Sequence, residues 1–204
     1  MAEQKNLGEG RAEGEAKSEV NGHDRLIDCA LASFAMWGFE TATVRKIAAM
    51  AQVDPTLINY HFGSKLGLWK AVVDRIAAQV DIIVERFALA GSAGELVDEL
   101  VDAVCAHPDL AFFLIKEVSR QTDRFEYFYG ALVVPLRDKM VPILKRETGD
   151  EANDIRQAEL MHFTLMGAIV MALVTRSFGT IARNADDDRK FGSELQNLLR
   201  KLVE

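Results

Sequence analysis

The stretch TVRKIAAMAQVDPTLINYHFGSK, from Thr43 to Lys65, decides the fold of this chain. The apolar side chains of its first half recur with the i, i+3, i+4, i+7 spacing of a single helix face: Val44, Ile47, Ala48 and Ala51. Thr43 directly precedes this face, and threonine is a favoured N-cap residue. The spacing therefore predicts a short helix that begins after Thr43 and packs on a core.

A second helix is predicted after a three-residue turn at 52–54. Asp54 followed by Pro55 is typical of a helix start, because aspartate caps the free N–H groups and proline lacks only an N–H that needs no partner there. Ile58 and Phe62, four residues apart, form its inward face. The outward positions are Thr56, Leu57, Asn59 and Tyr60. Two helices joined in this way form a helix-turn-helix, whose second helix enters the DNA major groove.

The flanking segments complete a three-helix unit. A helix is predicted from about Asp24 to Trp37, ending near Gly38. Its inward residues are Ile27, Ala30, Leu31, Phe34 and Ala35. Ser64 is predicted to cap a fourth helix that continues toward Phe87 and links this unit to the rest of the chain.

The segment from about Arg25 to about Val73 resembles the N-terminal domain of the TetR family of ligand-responsive transcriptional regulators. The resemblance rests on Gly38-Phe39, Thr43-Val44-Arg45, Ile47-Ala48, Ala51, the run Ile58 to Phe62, and Ser64-Lys65. Gln52 stands where the family commonly has glycine, which costs free energy if the turn needs a positive φ. Asp54 stands where serine is common, and its charge repels phosphate. The resemblance implies a dimeric DNA-binding protein that responds to a small molecule.

Side-chain chemistry and the resemblance together suggest which residues contact DNA. Phosphate contacts are expected from Thr43 at a helix N-terminus and from Lys65. Asn59 is expected to pair with an adenine edge and Leu57 to contact a thymine methyl. The full predicted set is Thr43, Arg45, Lys46, Pro55, Thr56, Leu57, Asn59, Tyr60, His61 and Lys65. Two alternatives stay open: His61 as a structural histidine beside Phe62, and Leu57 as a packing residue against the first helix.

The net charge of −7 is unusual for a DNA-binding protein. Residues 24–70 nevertheless carry five basic side chains against four acidic ones, whereas residues 1–23 carry three against five. The helix-turn-helix is thus the one segment that escapes the acidic balance. This distribution predicts few phosphate contacts per subunit, so that useful affinity requires a dimer.

Composition limits the class of protein. A share of 49% hydrophobic and 27% charged residues is ordinary for a folded soluble chain. Cys29 and Cys105 lie far apart without a CxxC pair, which predicts neither a disulfide framework nor a zinc site and favours a reducing compartment, the cytoplasm. The apolar run Leu160 to Val174 is short for a bilayer span and contains polar residues, so no membrane partner is predicted.

Beyond Ala90 the chain is predicted to be helical throughout, which makes the fold all-α. Ser92 and Glu95 form a capping box, and Pro108 opens the next helix, to about Arg120. A further helix over residues 125–147 contains two prolines and is expected to be kinked or divided. The predicted domains are a disordered tail at 1–22, the helix-turn-helix domain at 23–70, and a helical effector-binding and dimerisation domain at 71–204.

The last two predicted helices are candidates for a dimer interface. The helix over residues 153–178 is apolar on nearly every side, which indicates that something beyond its own core covers it. The helix over residues 187–203 has a single apolar stripe. In the TetR family such a pair typically forms a four-helix interface, for which the predicted residues are Leu165, Ile169, Leu195 and Leu198.

The resemblance also implies an effector site among the C-terminal helices, suited to a small apolar or aromatic ligand. Its predicted polar residues are Arg120, Tyr127, His162 and Thr164. Hydrogen bonds across the dimer are an equal alternative for these side chains. The methionines and phenylalanines nearby are explained better as core than as a ligand box.

No enzyme motif, close Cys/His pair or metal-ligand spacing occurs, so no catalytic residue, metal or cofactor is predicted. The acidic run Asp186 to Asp188 is explained as a helix start. The chain is therefore predicted to be a homodimeric repressor that binds a pseudo-palindromic double-stranded DNA operator and is released by an effector. The alternative is a helical interaction or redox-sensing protein with weakened operator recognition.

Overall fold

The chain forms two helical units, residues 1–72 and residues 73–204. The computed structural model describes residues 6–88, 91–118, 122–148, 155–175 and 185–203, and within these ranges every regular element is a helix. The all-α prediction is confirmed. The division between the units lies two residues beyond the predicted boundary at 70/71.

The N-terminal unit contains α1 (Asn6–Thr41), α2 (Val44–Ala51), α3 (Thr56–Phe62) and the start of α4 (Lys65–Ala88). Helix α1 begins inside the segment 1–22 that the sequence predicts to be disordered. Alanine, glutamate and lysine are frequent in that segment and favour helix, so the helical conformation extends beyond the part of α1 that has apolar residues to bury. At its other end, Gly38 interrupts α1 with a φ of 77°, as its glycine predicts.

The core of this unit comes from the predicted faces. Helix α2 buries Ile47, Ala48 and Ala51, and α3 buries Ile58. They pack with α1 and α4 residues that are at most 4% exposed: Leu26, Ile27, Ala30, Phe34, Ala35, Leu68, Trp69 and Val72. Of the inward residues predicted in α1, Leu31 is only half-buried, and Leu26 was missed.

The turn between α2 and α3 has the geometry that the sequence suggested. Gln52 has φ 54° and ψ 44°, the left-handed conformation, and its N–H donates to main-chain carbonyls of α2. It is the only residue other than glycine with a positive φ among those described. A side chain in this conformation carries a steric cost that glycine avoids.

We expect Gln52→Gly to raise the free energy of unfolding by about 0.5–1 kcal/mol, because relief of this strain outweighs the extra chain entropy of glycine. Gln52→Val should lower it, since a β-branched residue tolerates a positive φ worst. Urea unfolding of both variants measures the difference. Equal stability of the valine variant and the parent would contradict the strained turn.

The C-terminal unit contains the rest of α4, α5 (Ala93–Ala106), α6 (Pro108–Val118), α7 (Asp123–Phe128), α8 (Val134–Thr148), α9 (Ile155–Thr175) and α10 (Ala185–Val203). Ser92 and Glu95 form the predicted capping box, with both hydrogen bonds at 3.1 Å. Pro108 begins α6 as predicted.

The predicted helix over residues 125–147 is divided. A π-helical turn, Tyr129–Val133, separates α7 from α8, whereas Pro142 lies inside α8. Pro135 is the second residue of α8 and has no N–H to donate to the preceding turn of helix, which accounts for a break in the α-helical pattern just before it.

Helix α9 passes through the core of this unit. Its residues Leu165, Ile169 and Leu173 are buried with residues of α5, α8 and α10. Among the described residues α9 is the one helix long and apolar enough to span a membrane, by length and composition only, and a core helix passes the same test. Its remaining face is exposed at Leu160, Phe163 and Met171.

Candidate DNA interface and effector cavity

Helix α3 presents an exposed polar face. Thr56 and Asn59 are exposed and Tyr60 is 75% exposed, while Ile58, between them in sequence, is completely buried. Leu57 is half-buried, so its side chain serves packing as well as any base contact. A short helix anchored by one buried residue and open on the other side has the geometry that major-groove recognition requires.

Capping fixes the start of this helix. The Asp54 carboxylate accepts from the Thr56 N–H at 2.8 Å and from the Thr56 hydroxyl at 2.6 Å. The helix begins one residue later than predicted, with Pro55 at the N-cap position and Asp54 just before it. These two hydrogen bonds also hold the pKa of Asp54 below its ordinary value. Pro55 leads directly into α3 with a φ of −57°. The acidic side chain is thus occupied in capping, although it lies near the predicted phosphate contacts.

The start of α2 is also capped as predicted. The Thr43 hydroxyl accepts from the Lys46 N–H at 3.3 Å. Arg45 and Lys46 follow on an exposed surface, and the Lys46 ammonium lies 5.1 Å from the centre of the Trp37 ring. Both cations stay accessible, so their phosphate contacts remain predictions.

Lys65 has a different position from the one expected. Its ammonium donates to the carbonyls of Phe39 at 2.8 Å and Ala42 at 3.1 Å, and it lies 4.3 Å from the centre of the Phe39 ring. The end of α1 thereby gains a cation on its free carbonyls, which is a favourable helix C-terminal interaction. The Lys65 ammonium thus holds the end of α1, and its predicted phosphate contact remains a prediction.

We expect Lys65→Ala to lower the free energy of unfolding of the protein by about 1–3 kcal/mol, because it removes charge-assisted hydrogen bonds to buried carbonyls. Arg45→Ala is the matched control, since Arg45 is exposed on the same surface and should change stability little. Chemical unfolding followed by circular dichroism distinguishes the two. If both variants unfold like the parent, Lys65 is a surface cation after all.

His61 belongs to a ring cluster. Its ring centre lies 4.9 Å from that of Tyr60, 6.0 Å from that of Phe62 and 5.7 Å from that of His23. His23 stacks on Phe62 at 4.9 Å. This packing favours the structural alternative for His61, and its phosphate contact remains a prediction.

Three contributors were missed by sequence reasoning. His23 lies just before the predicted first helix, and nothing in the sequence indicates its partner 39 positions later. Arg25 donates to the Ala51 carbonyl at the end of α2, again across a long separation. Gly67 leaves no room for a side chain, since a Cβ there would lie 1.9 Å from the Phe62 carbonyl oxygen. Only the glycine itself signals this last constraint.

In the C-terminal unit, an apolar cavity of about 370 Å³ lies among α6, α7, the π-helical turn, α8 and α9. This size is within the range of small-molecule sites. Its lining is Leu114, Ile115, Val118, Phe125, Phe128, Tyr129, Leu132, Val133, Leu136, His162, Phe163, Met166, Gly167, Val170 and Met171. A second, smaller cavity between α4 and α8 has about 20 Å³, room for little more than a water.

Of the four predicted effector residues, the structure places one at this cavity. His162 lines it and is 1% exposed. Thr164 is exposed, and its hydroxyl donates to the Leu160 carbonyl at 2.7 Å within α9. Tyr127 does not line the cavity, and burial together with the hydrogen bond that it donates to Asp74 at 2.7 Å raises its pKa to about 12. Arg120 lies outside the described residues.

His162 is an unusual group in this lining. Its Nδ1 is buried without a hydrogen-bond partner among the described residues. Burial, together with the charge of Arg137, lowers the pKa of His162 to about 4. The imidazole is therefore neutral at physiological pH.

This shift predicts an acid-sensitive stability. Between pH 6.5 and about pH 4, His162 is protonated in the unfolded chain but neutral in the folded chain. Because the unfolded state binds the extra proton, the free energy of unfolding decreases as the pH falls through this window. The loss should reach about 2 kcal/mol between pH 6.5 and pH 5. His162→Leu should lack this part of the pH dependence while keeping the part due to carboxylates. Urea unfolding at four pH values tests this, and parallel curves for both proteins would refute it.

Three of the four predicted dimer residues are corrected. Leu165, Ile169 and Leu195 are 0%, 2% and 8% exposed and pack in the core of their own unit. Leu198 is 61% exposed. An apolar helix supplies both a core face and an outer face, and the sequence pattern of α9 does not distinguish them.

Cys29 bears on the redox alternative. Burial and the neighbouring Asp28 raise the pKa of its thiol, which decreases the reactive thiolate. Within the described part of the chain no group of three His, Cys, Asp or Glu side chains is arranged to hold a metal ion.

Comparisons with known proteins match both units. Residues 26–72 match the family model described as bacterial regulatory proteins, tetR family. The chain is 29% identical over 167 residues to the transcriptional dual regulator CecR of Shigella flexneri, covering 72% of this chain and 73% of that protein. It is 27% identical over 124 residues to a transcriptional repressor of Streptomyces coelicolor, covering 56% and 62%.

Solved structures share the fold. The regulator FadR of Bacillus subtilis, solved with stearoyl-CoA, superposes with a TM-score of 0.67 at 18% identity, over 88% of this chain and 96% of that one. The fatty acid degradation regulator FadR of Bacillus halodurans gives 0.65 at 20% identity, over 87% and 97%. Each likeness extends across both helical units.

Proposed function

We propose that this chain, whose residues 26–72 match the tetR family model, is a transcriptional regulator of that family: a homodimeric repressor that releases a pseudo-palindromic operator when a small apolar or aromatic effector fills the C-terminal cavity. It is not an enzyme, as its relatives are DNA-binding regulators. We place it in the cytoplasm, where its DNA is.

The exposed face of α3 carries this proposal. Thr56, Asn59 and Tyr60 project from a helix whose start is fixed by the Asp54 cap and whose single buried residue is Ile58. This face does not pack against the core of its own unit. Its polar side chains are therefore available to form hydrogen bonds with the base edges in a major groove.

Dimerisation is supported by the outer faces of α9 and α10. Leu160 on α9 and Leu198 and Leu202 on α10 are 61%, 61% and 49% exposed, and none of them lines the cavity. Exposed apolar residues gathered on two adjacent helices mark an interaction surface. A second copy of the chain provides the same surface, as a two-fold interface requires.

Effector control is supported by the connections of α4. Its first residues belong to the N-terminal unit, and its continuation belongs to the C-terminal unit. There Asp74 accepts from Tyr127 of α7, while Asp81 and Glu85 accept from Lys139 of α8. Since α7 and α8 also line the cavity, a ligand that displaces them shifts α4. A coupling of about 1–3 kcal/mol would weaken operator binding by about 5- to 150-fold.

Fluorescence anisotropy with duplexes from the DNA upstream of the chain's own gene tests the proposal. We expect binding to one duplex that exceeds binding to a shuffled duplex, with the difference persisting at moderate salt. Effector candidates that raise the melting temperature should then decrease operator affinity. Binding without sequence preference at every salt concentration would contradict a regulator and support the interaction-protein alternative.

A further inference from the structure

The cavity described above has a lining that specifies the charge of its ligand. Among its lining residues only Tyr129 and His162 have polar side-chain groups, and no Lys, Arg, Asp or Glu of the described chain belongs to the lining. An ionised ligand group would lose its hydration there without gaining a counter-charge, which disfavours binding strongly.

Of these two polar residues, His162 is the fully buried one, and its imidazole is neutral at physiological pH. His162 is 1% exposed, and its Nδ1 has no hydrogen-bond partner among the described residues. His162 could balance the charge of an anionic ligand only by taking up a proton, which its burial and the charge of Arg137 oppose. A neutral ligand needs no proton uptake, and the imidazole can offer it a hydrogen bond.

The charged group that acts on His162 among the described residues does not alter this conclusion. Arg137 on α8 influences His162 electrostatically, but its guanidinium donates to Asp138 at 2.7 and 3.0 Å and is also within reach of Glu159. Arg137 is not part of the lining. The positive charge of Arg137 therefore disfavours protonation of His162. Because Arg137 is already paired with Asp138, it does not serve as the counter-charge of an anionic ligand.

We propose that this cavity takes an uncharged, mainly hydrocarbon ligand with a single hydrogen-bonding group that His162 recognises, and that it rejects carboxylate and phosphate-bearing forms of the same chain. The inference rests on the proposed effector site and adds the chemical class of the ligand. It also separates this chain from the regulator solved with stearoyl-CoA, whose ligand carries phosphates.

A matched set of probes tests the ligand class. The neutral fluorophore N-phenyl-1-naphthylamine reports occupancy of the full-length protein. At pH 7.5, 1-dodecanol below its aqueous solubility, and dodecanoate and dodecanoyl-CoA below their micelle concentrations, compete with it for the cavity. We expect dodecanol to compete at a concentration at least about tenfold lower than the other two. Equal or tighter binding of dodecanoate or of dodecanoyl-CoA would overturn the proposal.

Three variants assign the binding to this cavity. Gly167→Phe should abolish fluorophore binding, because Gly167 lines the cavity and a Cβ atom there has open space around it, so that the ring can enter the cavity. Thr164→Phe is its control, since it places the same ring on an exposed position of α9 outside the lining. His162→Phe should weaken dodecanol about fivefold and leave the fluorophore unaffected, as expected for the loss of one hydrogen bond. Equal effects of Gly167→Phe and Thr164→Phe would remove the site from this cavity.

The ligand class and the proposed effector control can be tested separately. Affinity of dodecanol concerns the ligand class alone, whereas release of operator by bound dodecanol concerns effector control. Tight dodecanol binding without any change in operator affinity would support the ligand class and contradict effector control. Operator release by dodecanoate at a lower concentration than by dodecanol would support effector control and overturn the ligand class.

Discussion

Leu165→Glu should unfold the C-terminal unit, whereas Leu198→Glu should leave each subunit folded and separate the dimer. Leu165 is completely buried in the core with α5, α8 and α10, while Leu198 is 61% exposed. A glutamate at the first position places an unpaired charge in an apolar core and removes its packing, a loss of roughly 4 kcal/mol or more. That is a large share of the stability of an ordinary domain.

At the second position the substitution acts between subunits. An exposed glutamate changes the stability of a single subunit by about 0.5 kcal/mol or less. In the proposed two-fold interface, however, the glutamates of the two subunits lie close together and their like charges repel. We expect Leu198→Glu to keep its helical circular dichroism while its mass by light scattering falls to that of a monomer. Operator affinity should fall with it.

Light scattering and circular dichroism of both variants decide between the two roles. Lys201→Glu is a control for added negative charge on an exposed position of α10. A Leu198→Glu protein that stays dimeric would place the interface away from α10. A Leu165→Glu protein with parental unfolding would show that the position is not in the core.

The sequence predicts local features of this fold well, because their causes are local. Thr43, Asp54 and the Ser92–Glu95 pair cap helices through contacts two or three residues away. Helix spacing alone also identifies the buried residues of α2. These features need no knowledge of where the rest of the chain lies.

Features that depend on distant contacts were not predictable in the same way. The carbonyl groups to which Lys65 donates belong to residues more than twenty positions earlier in the chain. The motif around Lys65 suggests a phosphate contact and does not indicate these main-chain hydrogen bonds. The apolar sequence of α9 likewise does not reveal that Leu165 faces its own core while Leu160 faces outward. The sequence also does not distinguish the two polar residues of this apolar helix. His162 lines the cavity, whereas the Thr164 hydroxyl donates to a carbonyl of its own helix.

Asn59→Ala should weaken binding to the true operator far more than binding to unrelated DNA. Asn59 lies on the exposed face of α3, next in sequence to the buried Ile58 that holds the helix in place. An asparagine in the major groove pairs with adenine N6 and N7, and such a contact discriminates by about 1–3 kcal/mol. In the proposed dimer this contact occurs in both half-sites, so the variant should lose roughly 2–6 kcal/mol on the operator.

Arg45→Ala is the matched comparison for this experiment, because a phosphate contact carries charge but no sequence information. It should weaken operator and random DNA alike and reduce the salt slope by about 1 per subunit contact. Asn59→Ala should leave that slope unchanged, as it removes no charge. Anisotropy titrations of both variants at several salt concentrations separate the two kinds of contact. If Asn59→Ala lowers affinity equally for operator and random DNA, Asn59 binds the backbone, and base recognition must come from other residues of α3.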